Sequence, residues 1–136
     1  MAIKFPPKPG LLLLCDYSLG GFRPPEMVKR RPAIVLSPRL RHRENLVAVV
    51  PLSESPPARD LNYVVGIELH FDLPSFPGKL KWAKCDMVAT VGFFRLDLFR
   101  TARMPSGKRK YLQPILPAKD LERVKSGVRS ALGLKD

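Results

Sequence analysis

Short apolar runs separated by turn residues dominate the pattern of this chain and predict a strand-rich fold. Five strands are predicted, over residues 11–16, 33–37, 46–52, 63–71 and 82–91. Glycine and proline pairs mark the loops, and the first three strands are predicted to form an antiparallel meander. In the strand over 82–91, alternation predicts that Lys84, Asp86 and Val88 share one face.

Two further segments complete the pattern. Residues 93–99 are too apolar for a free loop and are predicted to close the core, as a short helical turn or an irregular strand. A last strand is predicted over 108–115. Four apolar residues then recur at helical spacings: Leu121, Val124, Val128 and Leu132. We predict a helix over 120–132 that ends at Gly133, with Gly127 as a weak point in its middle.

Length and composition set the fold class. A chain of 136 residues supplies one compact domain with its own core, so we predict a single domain over residues 1–136. Its 15 prolines oppose a helical bundle. The predicted class is mainly β with one C-terminal helix, folded as a small antiparallel barrel. Residues 1–9 hold three prolines and are predicted as a flexible N-terminal extension.

The charge balance of the chain is strongly basic. It contains 24 Lys and Arg against 12 Asp and Glu, which gives a formal net charge of +12. A field of this sign favours a polyanionic partner such as nucleic acid. An acidic protein partner would satisfy the same field, and charge that only keeps the surface hydrated is a third explanation.

The sequence also bears on location and on the state of the cysteines. The apolar run over residues 11–14 is too short for a signal-peptide core or a membrane span. We therefore predict a cytoplasmic protein without a membrane partner. Cys15 and Cys85 each lie among apolar residues in predicted strands, and we expect reduced, buried thiols.

The common motifs for nucleotide cofactors and metal ions are missing. No glycine-rich phosphate loop occurs, and His42 and His70 are not spaced with cysteines or carboxylates as metal ligands are. We predict no cofactor and no metal. Phosphate chemistry on RNA is feasible without them, because the 2′-hydroxyl is an internal nucleophile that needs only a base, an acid and positive charge.

One segment combines charge with a buried strand. Three consecutive cations, Lys29, Arg30 and Arg31, stand directly before Pro32 and the apolar run over residues 33–36. An arginine held at the root of a buried strand has little freedom, and its planar guanidinium can grip a phosphate with defined geometry. This segment indicates an enzyme that acts on nucleic acid.

Three segments, in this order, resemble the PemK/MazF family of bacterial toxins, which includes Kid. Residues 31–38, Arg-Pro-Ala-Ile-Val-Leu-Ser-Pro, resemble the family's Arg-Pro-aliphatic strand, with Glu26 five residues before it. Residues 49–53, Val-Val-Pro-Leu-Ser, resemble its Val-Pro-Val-Thr segment. Residues 84–88, Lys-Cys-Asp-Met-Val, resemble its Arg-Cys-Asp-Gln or Ala-Asp-Gln strand, and the similarity extends over residues 11–132.

The resemblance implies a fold, an activity and partners. The family fold is an SH3-like antiparallel β-barrel with a C-terminal helix, shared with gyrase-poisoning toxins. Its members are homodimeric endoribonucleases that cleave single-stranded RNA without metal, leaving 2′,3′-cyclic phosphate and 5′-hydroxyl ends. A cognate antitoxin restrains them, and operator DNA is expected as a partner only together with that antitoxin. The alternative function is a non-catalytic nucleic-acid-binding or gyrase-poison-like toxin on the same barrel.

The resemblance assigns catalytic roles to five residues, four in the motifs themselves and one, Glu26, in the loop before them. Arg31 would contact and stabilise the scissile phosphate; otherwise it is a surface cation beside a strand. Asp86 would be the general base for the 2′-hydroxyl, or else a salt-bridge partner of Lys84 or Arg31. Lys84 replaces an arginine of several relatives and would donate a proton to the leaving 5′-oxygen. Ser53 replaces a threonine and keeps the hydroxyl that can bond the phosphate, although a plain turn serine is the competing account.

The remaining candidates lie in the loop before Arg31. Glu26 would position a base or accept a proton, or would only balance Lys29 and Arg30. Phe22 is the aromatic residue that we expect to touch RNA. Arg23, Lys29 and Arg30 are predicted to bind the RNA, and the last two suit steering of its backbone or docking of the antitoxin.

Overall fold

The computed structural model describes residues 2–101, 106–107 and 110–134, and these residues contain nine strands and one α-helix. The strands are β1 (Leu12–Asp16), β2 (Arg30–Val35), β3 (Leu46–Ser53), β4 (Val64–Glu68), β5 (Leu80–Lys84), β6 (Ala89–Gly92), β7 (Leu96–Asp97), β8 (Phe99–Arg100) and β9 (Tyr111–Leu112). The helix is α1 (Ala118–Leu132). The predicted class, mainly β with one C-terminal helix, is confirmed.

Seven of the strands form one sheet, in which β3 has the central place. The order is β4-β5-β3-β2-β1-β7, and β6 also pairs with β3. The predicted meander is confirmed, because β1, β2 and β3 pair antiparallel in succession. The first half of β3 pairs with β6, whereas its end, at Leu52 and Ser53, pairs with β5. β8 and β9 form a separate antiparallel pair.

The prediction of one strand over residues 82–91 is wrong. The chain forms β5, then a 3₁₀ turn at Cys85–Met87, and only then β6. The turn is required because β5 and β6 pair with different parts of β3. Strict alternation of side chains therefore does not run from Lys84 to Val88, and it cannot be the reason for any face that these residues share.

Other boundaries differ from the sequence pattern by a few residues. β2 begins at Arg30 rather than at residue 33, so Arg31 lies inside the strand. Residues 93–99 combine the two alternatives left open, a 3₁₀ turn at Phe93–Arg95 followed by β7 and the start of β8. Of the last predicted strand, over 108–115, residues 108 and 109 lie outside the described residues, and β9 occupies its centre.

Alternation along β1 and β2 divides the buried side chains into two clusters. Leu12 and Ile34 belong to a first cluster, which also contains Val124 and Val128 of α1. Leu13 and Cys15 belong to a second cluster on the other face of β1. Because α1 covers the first cluster, the polar groups described below border the second.

The helix packs closely against the turn between β5 and β6. A Cβ on Gly127 would lie 2.7 Å from Cys85 Sγ, so only glycine permits this approach. Gly127, predicted as a weak point, is thus a packing requirement. The predicted helix end is confirmed, because Gly133 adopts φ 70° and its N–H donates to Ser130 O. No helix in the described part of the chain is long and apolar enough to span a membrane.

Residues near the N terminus contact the second cluster. Ile3 is buried, and its N–H donates to Leu96 O at 2.9 Å. Phe5 packs against the same cluster. The segment predicted as an extension thereby lies along β7.

Candidate functional site

The strand register brings Arg31 and Ser53 to one face of the sheet. Ala33 pairs with Pro51 across β2 and β3, so these two side chains point to the same side. Arg31 stands two residues before Ala33, and Ser53 stands two residues after Pro51. Since side chains repeat every two residues, Arg31 and Ser53 lie on that same side at the same end of the β2–β3 hairpin.

Lys84 joins this face through the pairing of β3 with β5. Ser53 pairs with Trp82, and Lys84 follows Trp82 by two residues at the end of β5. The side chains of Ser53, Trp82 and Lys84 therefore share one side of the sheet. Three of the five residues that the family resemblance assigns to catalysis, Arg31, Ser53 and Lys84, thus converge on one surface.

Arg31 and its neighbour Arg30 occupy different environments. Arg31 is half-buried and pairs with Cys15, whose side chain belongs to the second cluster. Its Nε is buried, and within the described residues its guanidinium forms no hydrogen bond and no ion pair. Arg30 points to the other face and lies 3.9 Å from Asp16 Oδ2, with 59% of its side chain exposed. Only Arg31 therefore holds an uncommitted guanidinium at the edge of a buried cluster.

A cavity of about 460 Å³ contains two carboxylates and lies beside the second cluster. Glu26 and Asp86 are the carboxylates, and the other lining residues are Tyr17, Phe22, Pro25, Met27, Met87, Val88 and Ala89. An apolar wall with a few polar groups is typical of a ligand pocket. The structure thus places Glu26, Asp86 and Phe22 together, as candidates for one site.

Asp86 owes its position to the 3₁₀ turn and to the helix behind it. Cys85 is buried, its N–H donates to Tyr63 O at 3.0 Å, and its Sγ lies 3.6 Å from Val124 O in α1. Asp86, the next residue, is exposed. In the described part of the chain it forms no ion pair with Lys84 or Arg31, so the salt-bridge alternative for Asp86 is not what the structure adopts.

Glu26 closes the turn that precedes β2. Its Oε1 accepts a hydrogen bond from Arg23 N at 3.0 Å, and its own N–H donates to Arg23 O at 2.8 Å. Among the described residues it forms no ion pair with Lys29 or Arg30, which are exposed, as is Arg23. Its second carboxylate oxygen has no such bond in this turn, and the residue lines the cavity.

Phe22 is held by an arginine that the sequence analysis did not single out. The Arg95 guanidinium lies 4.6 Å from the centroid of the Phe22 ring and 4.9 Å from that of Phe94. It also donates to three backbone carbonyls of the preceding loop, Asp16 O, Leu19 O and Gly20 O. A single cation inside the apolar run 93–99 was the available signal for this role.

Lys81 is a second cation with a role that the sequence analysis missed. Only 1% of Lys81 is exposed, and its Nζ donates to Phe76 O at 3.0 Å and Pro77 O at 2.9 Å. It also contacts Glu54 Oε1 at 3.3 Å, directly after Ser53. Ser53 Oγ itself accepts from Ser55 N at 3.1 Å, so the turn role weighed for this serine exists, while its hydroxyl hydrogen can still be donated to a ligand.

Both cysteines and Tyr17 are buried groups with raised pKa values. Burial raises the pKa of the Cys15 thiol to about 11. Burial, followed by the negative charge of Asp86, raises the pKa of the Cys85 thiol to about 12. Burial also raises the pKa of Tyr17 above its ordinary value. The thiols are free and protonated at neutral pH, as expected for structural cysteines.

Comparison with known proteins places these features in a family. Residues 8–132 match the model of the PemK-like, MazF-like toxin of type II toxin–antitoxin systems. Escherichia coli (strain K12) protein YifN is 33% identical to this chain over an alignment that covers 86% of this chain and 85% of YifN.

Solved structures share the fold. An endoribonuclease from Mycobacterial species aligns with a TM-score of 0.61 and 21% identity, over 98% of both chains. An endoribonuclease in complex with its cognate antitoxin, also from Mycobacterial species, aligns with a TM-score of 0.58 and 21% identity, over 96% of this chain and 98% of that one. The family match over most of its length shows that the chain belongs to the PemK/MazF family of type II toxin–antitoxin toxins.

Proposed function

We propose that this protein is a metal-independent endoribonuclease toxin that cleaves single-stranded RNA and is neutralised by a cognate antitoxin. The observation that carries the proposal is the convergence of Arg31, Ser53 and Lys84 on one face of the sheet. A cavity with the carboxylates of Glu26 and Asp86 borders the same buried cluster that Arg31 adjoins. This arrangement supplies positive charge, a hydroxyl donor and a base, which are the groups that cleavage at a 2′-hydroxyl needs.

The proposed reaction is an internal transfer at phosphorus. Asp86 takes the proton from the 2′-hydroxyl as the 2′-oxygen bonds to phosphorus, and the bond from phosphorus to the 5′-oxygen breaks. Lys84 gives a proton to the departing oxygen. Arg31 stabilises the charge on the non-bridging oxygens, with Ser53 Oγ as a further donor. The products are a 2′,3′-cyclic phosphate and a 5′-hydroxyl, and no water is consumed.

Two loop residues would assist this reaction at the cavity. Glu26 already closes the turn before β2 and would act there as a second proton acceptor or orient the base. Phe22 offers an aromatic ring, fixed by Arg95, on which a base of the RNA can stack. Arg23, Lys29 and Arg30 are exposed and would attract the RNA backbone by charge.

The partners follow from the family and from the charge. The net charge of +12 suits an acidic antitoxin. One of the solved structures with the same fold is that of an endoribonuclease in complex with its cognate antitoxin. We propose that such an antitoxin covers the RNA-binding surface and that operator DNA is bound only together with it. We also propose that the toxin is a homodimer and that its substrate is cytoplasmic mRNA.

The direct test is cleavage of a long RNA in the presence of chelator, with the new ends identified chemically. We expect wild-type protein to cut and to leave cyclic phosphate ends. Asp86→Asn should lower the cleavage rate by about 10²–10⁴-fold, because the base is lost and the shape is kept. Asp60→Asn, at an exposed carboxylate outside the cavity, is the matched control and should cut normally.

Two outcomes would overturn the proposal. Wild-type protein that cuts no RNA in chelator is not a metal-independent nuclease. Growth arrest that survives Asp86→Asn would favour the non-catalytic or gyrase-poison-like toxin, because a pure binder does not need a base beside a phosphate clamp.

A further inference from the structure

The loop between β2 and β3 carries a concentration of positive charge that the proposed reaction does not use. We call residues 39–44 the basic loop; it contains Arg39, Arg41 and Arg43, all exposed, with a single acid, Glu44. In the described part of the chain, none of the three arginines forms an ion pair with a carboxylate. Three arginines outside any ion pair among the described residues are therefore carried by six consecutive residues at this end of the hairpin.

The backbone of the basic loop has a defined shape. Its base is closed by Leu36 N, which donates to Ala48 O at 2.8 Å, and by Ala48 N, which donates to Ser37 Oγ at 2.9 Å. His42 adopts a left-handed φ of 63°, as does Asn45, whose carbonyl accepts from Phe93 N at 2.9 Å. The arginines thus project from a fixed turn, which lowers the entropy that binding must remove.

Two cavities adjoin each other at this loop. The larger, about 460 Å³, lies among Arg39, Arg41, His42 and Glu44. The smaller, about 170 Å³, adds Lys4 and Arg43 to the basic lining and contains one aromatic residue, Phe93. Arg39 and Glu44 line both cavities. Cations beside an aromatic ring are the combination with which proteins bind single-stranded nucleic acid.

Strand β6 connects these cavities to the candidate active site. Ala89, at its start, lines the cavity that contains Asp86, and Phe93, directly after its end, lines the smaller basic cavity. Four residues of extended chain span about 13 Å. On the face of β3 and β6 that both cavities contact, Val47, Val49 and Val91 are buried in the second cluster. An RNA strand of a few nucleotides that joins the two cavities would therefore follow the edge of this cluster.

We propose that the basic loop is a second RNA-binding site, which holds the phosphate backbone of the single-stranded RNA that flanks the cleaved bond. This inference rests on the proposed function for the identity of the ligand. The loop would contribute to binding affinity and not to the chemical step, because its arginines lie beyond one end of β6 and Asp86 and Lys84 lie beyond the other. Longer RNA substrates would bind more tightly because of the loop, whereas the affinity for RNAs short enough to contact only the active site would not depend on it.

The test compares two RNAs and one triple variant, Arg39→Gln/Arg41→Gln/Arg43→Gln. The RNAs are single strands of about 20 and about 5 nucleotides that share one cleavage sequence. Binding is measured against salt concentration in the Asp86→Asn background, where the RNA stays intact. For the long RNA, we expect the slope of log K against log salt to become shallower by about 2, because each lost contact removes about 0.7. Cleavage of the short RNA by the otherwise wild-type triple variant should keep its rate.

Two control variants separate charge from shape and location. Arg39→Lys/Arg41→Lys/Arg43→Lys keeps the charges and should keep the slope. Lys119→Gln/Arg123→Gln/Lys125→Gln removes three cations from α1 instead and should also keep it.

An unchanged slope in the arginine-to-glutamine variant would overturn the inference. So would an equal loss of affinity for both RNAs. Failure of the proposed function is distinguishable, because wild-type protein would then cut neither RNA while the binding comparison would still yield its slopes.

Discussion

The two ends of the β2–β3 hairpin carry arginines in opposite circumstances. At one end Arg31 is half-buried and is held by the strand register on the same side of the sheet as Ser53. At the other end the arginines of the basic loop are exposed on a turn. Register and burial fix the direction of a guanidinium, which transition-state stabilisation requires, whereas exposure on a turn leaves charge free for a backbone of varied path. Under the proposed function, the hairpin would thereby carry the group for catalysis at one end and the groups for RNA affinity at the other.

The largest effect that this comparison predicts concerns Arg31. Arg31→Ala should lower kcat for RNA cleavage by about 10²–10³-fold, because a fixed donor to the developing phosphate charge is lost. Arg30→Ala is a matched control: Arg30 points to the other face, and its one ion pair within the described residues is the long contact with Asp16, so kcat should change little. Single-turnover cleavage at saturating enzyme measures both. Equal losses in the two variants would show that the register does not decide their roles.

The second-largest predicted effect is the salt dependence of RNA binding, which should differ between the two ends of the hairpin. Between 50 and 200 mM salt, three phosphate contacts at the basic loop should weaken binding of a long RNA by about 20-fold more than binding of a short one. The kcat for the short RNA should stay constant, because bound substrate keeps its contacts with Arg31. Fluorescence anisotropy and cleavage at saturating substrate give the two quantities. Equal salt dependence for both lengths would contradict this division.

The packing of α1 behind Asp86, the candidate base, should have a smaller effect, which is on the stability of the fold. Gly127→Ala should lower the free energy of unfolding by about 1–2 kcal/mol, because overpacking against Cys85 outweighs the gain in helix propensity. Ser126→Ala, at the exposed neighbouring position, should be close to neutral. Urea denaturation measures both variants. In Gly127→Ala/Cys85→Ala part of the loss should be recovered, and strictly additive losses would argue against the contact.

The smallest predicted effect comes from the two thiols. The folded chain keeps Cys15 and Cys85 protonated, with pKa values of about 11 and about 12, while the unfolded chain loses these protons near its ordinary thiol pKa. Because the folded state then binds more protons, stability falls as pH rises. Between pH 7 and 9 the two thiols together should remove about 0.8–1.6 kcal/mol.

Urea denaturation at both pH values tests the thiol prediction. Cys15→Ala/Cys85→Ala should show a correspondingly smaller loss of stability between pH 7 and 9. An identical pH dependence in the two proteins would mean that the thiols are not shielded in the folded state.

The sequence predicts the strands and the helix well where periodicity is strong. β1, β3 and α1 appear where apolar alternation or helical spacing places them. The interruption between β5 and β6 could not be predicted, because residues 82–91 are continuously compatible with a strand. The turn is imposed by which part of β3 each segment pairs with, and that is a tertiary constraint.

Some residues of the candidate site could likewise be predicted from the sequence and others could not. Family motifs pointed to Arg31, Ser53, Lys84 and Asp86, and register accounts for the first three. The contacts of Arg95 with backbone carbonyls could not be predicted from the sequence, because every residue has a backbone carbonyl and none is marked as an acceptor by its residue type. The same is true of the buried ammonium of Lys81, which looks like any strand-edge lysine in the sequence.

The close approach of α1 to the Cys85–Met87 turn has a consequence for synthesis of the toxin. Every residue assigned to cleavage lies before residue 87, but the backing for Asp86 is built by Val124 and Gly127, close to the end of the chain. A nascent chain that has emerged only as far as Leu116 therefore contains all the reactive groups without the helix that seats one of them. Under the proposed function, an unfinished chain would therefore lack the packing that positions its base until α1 has been made and has folded.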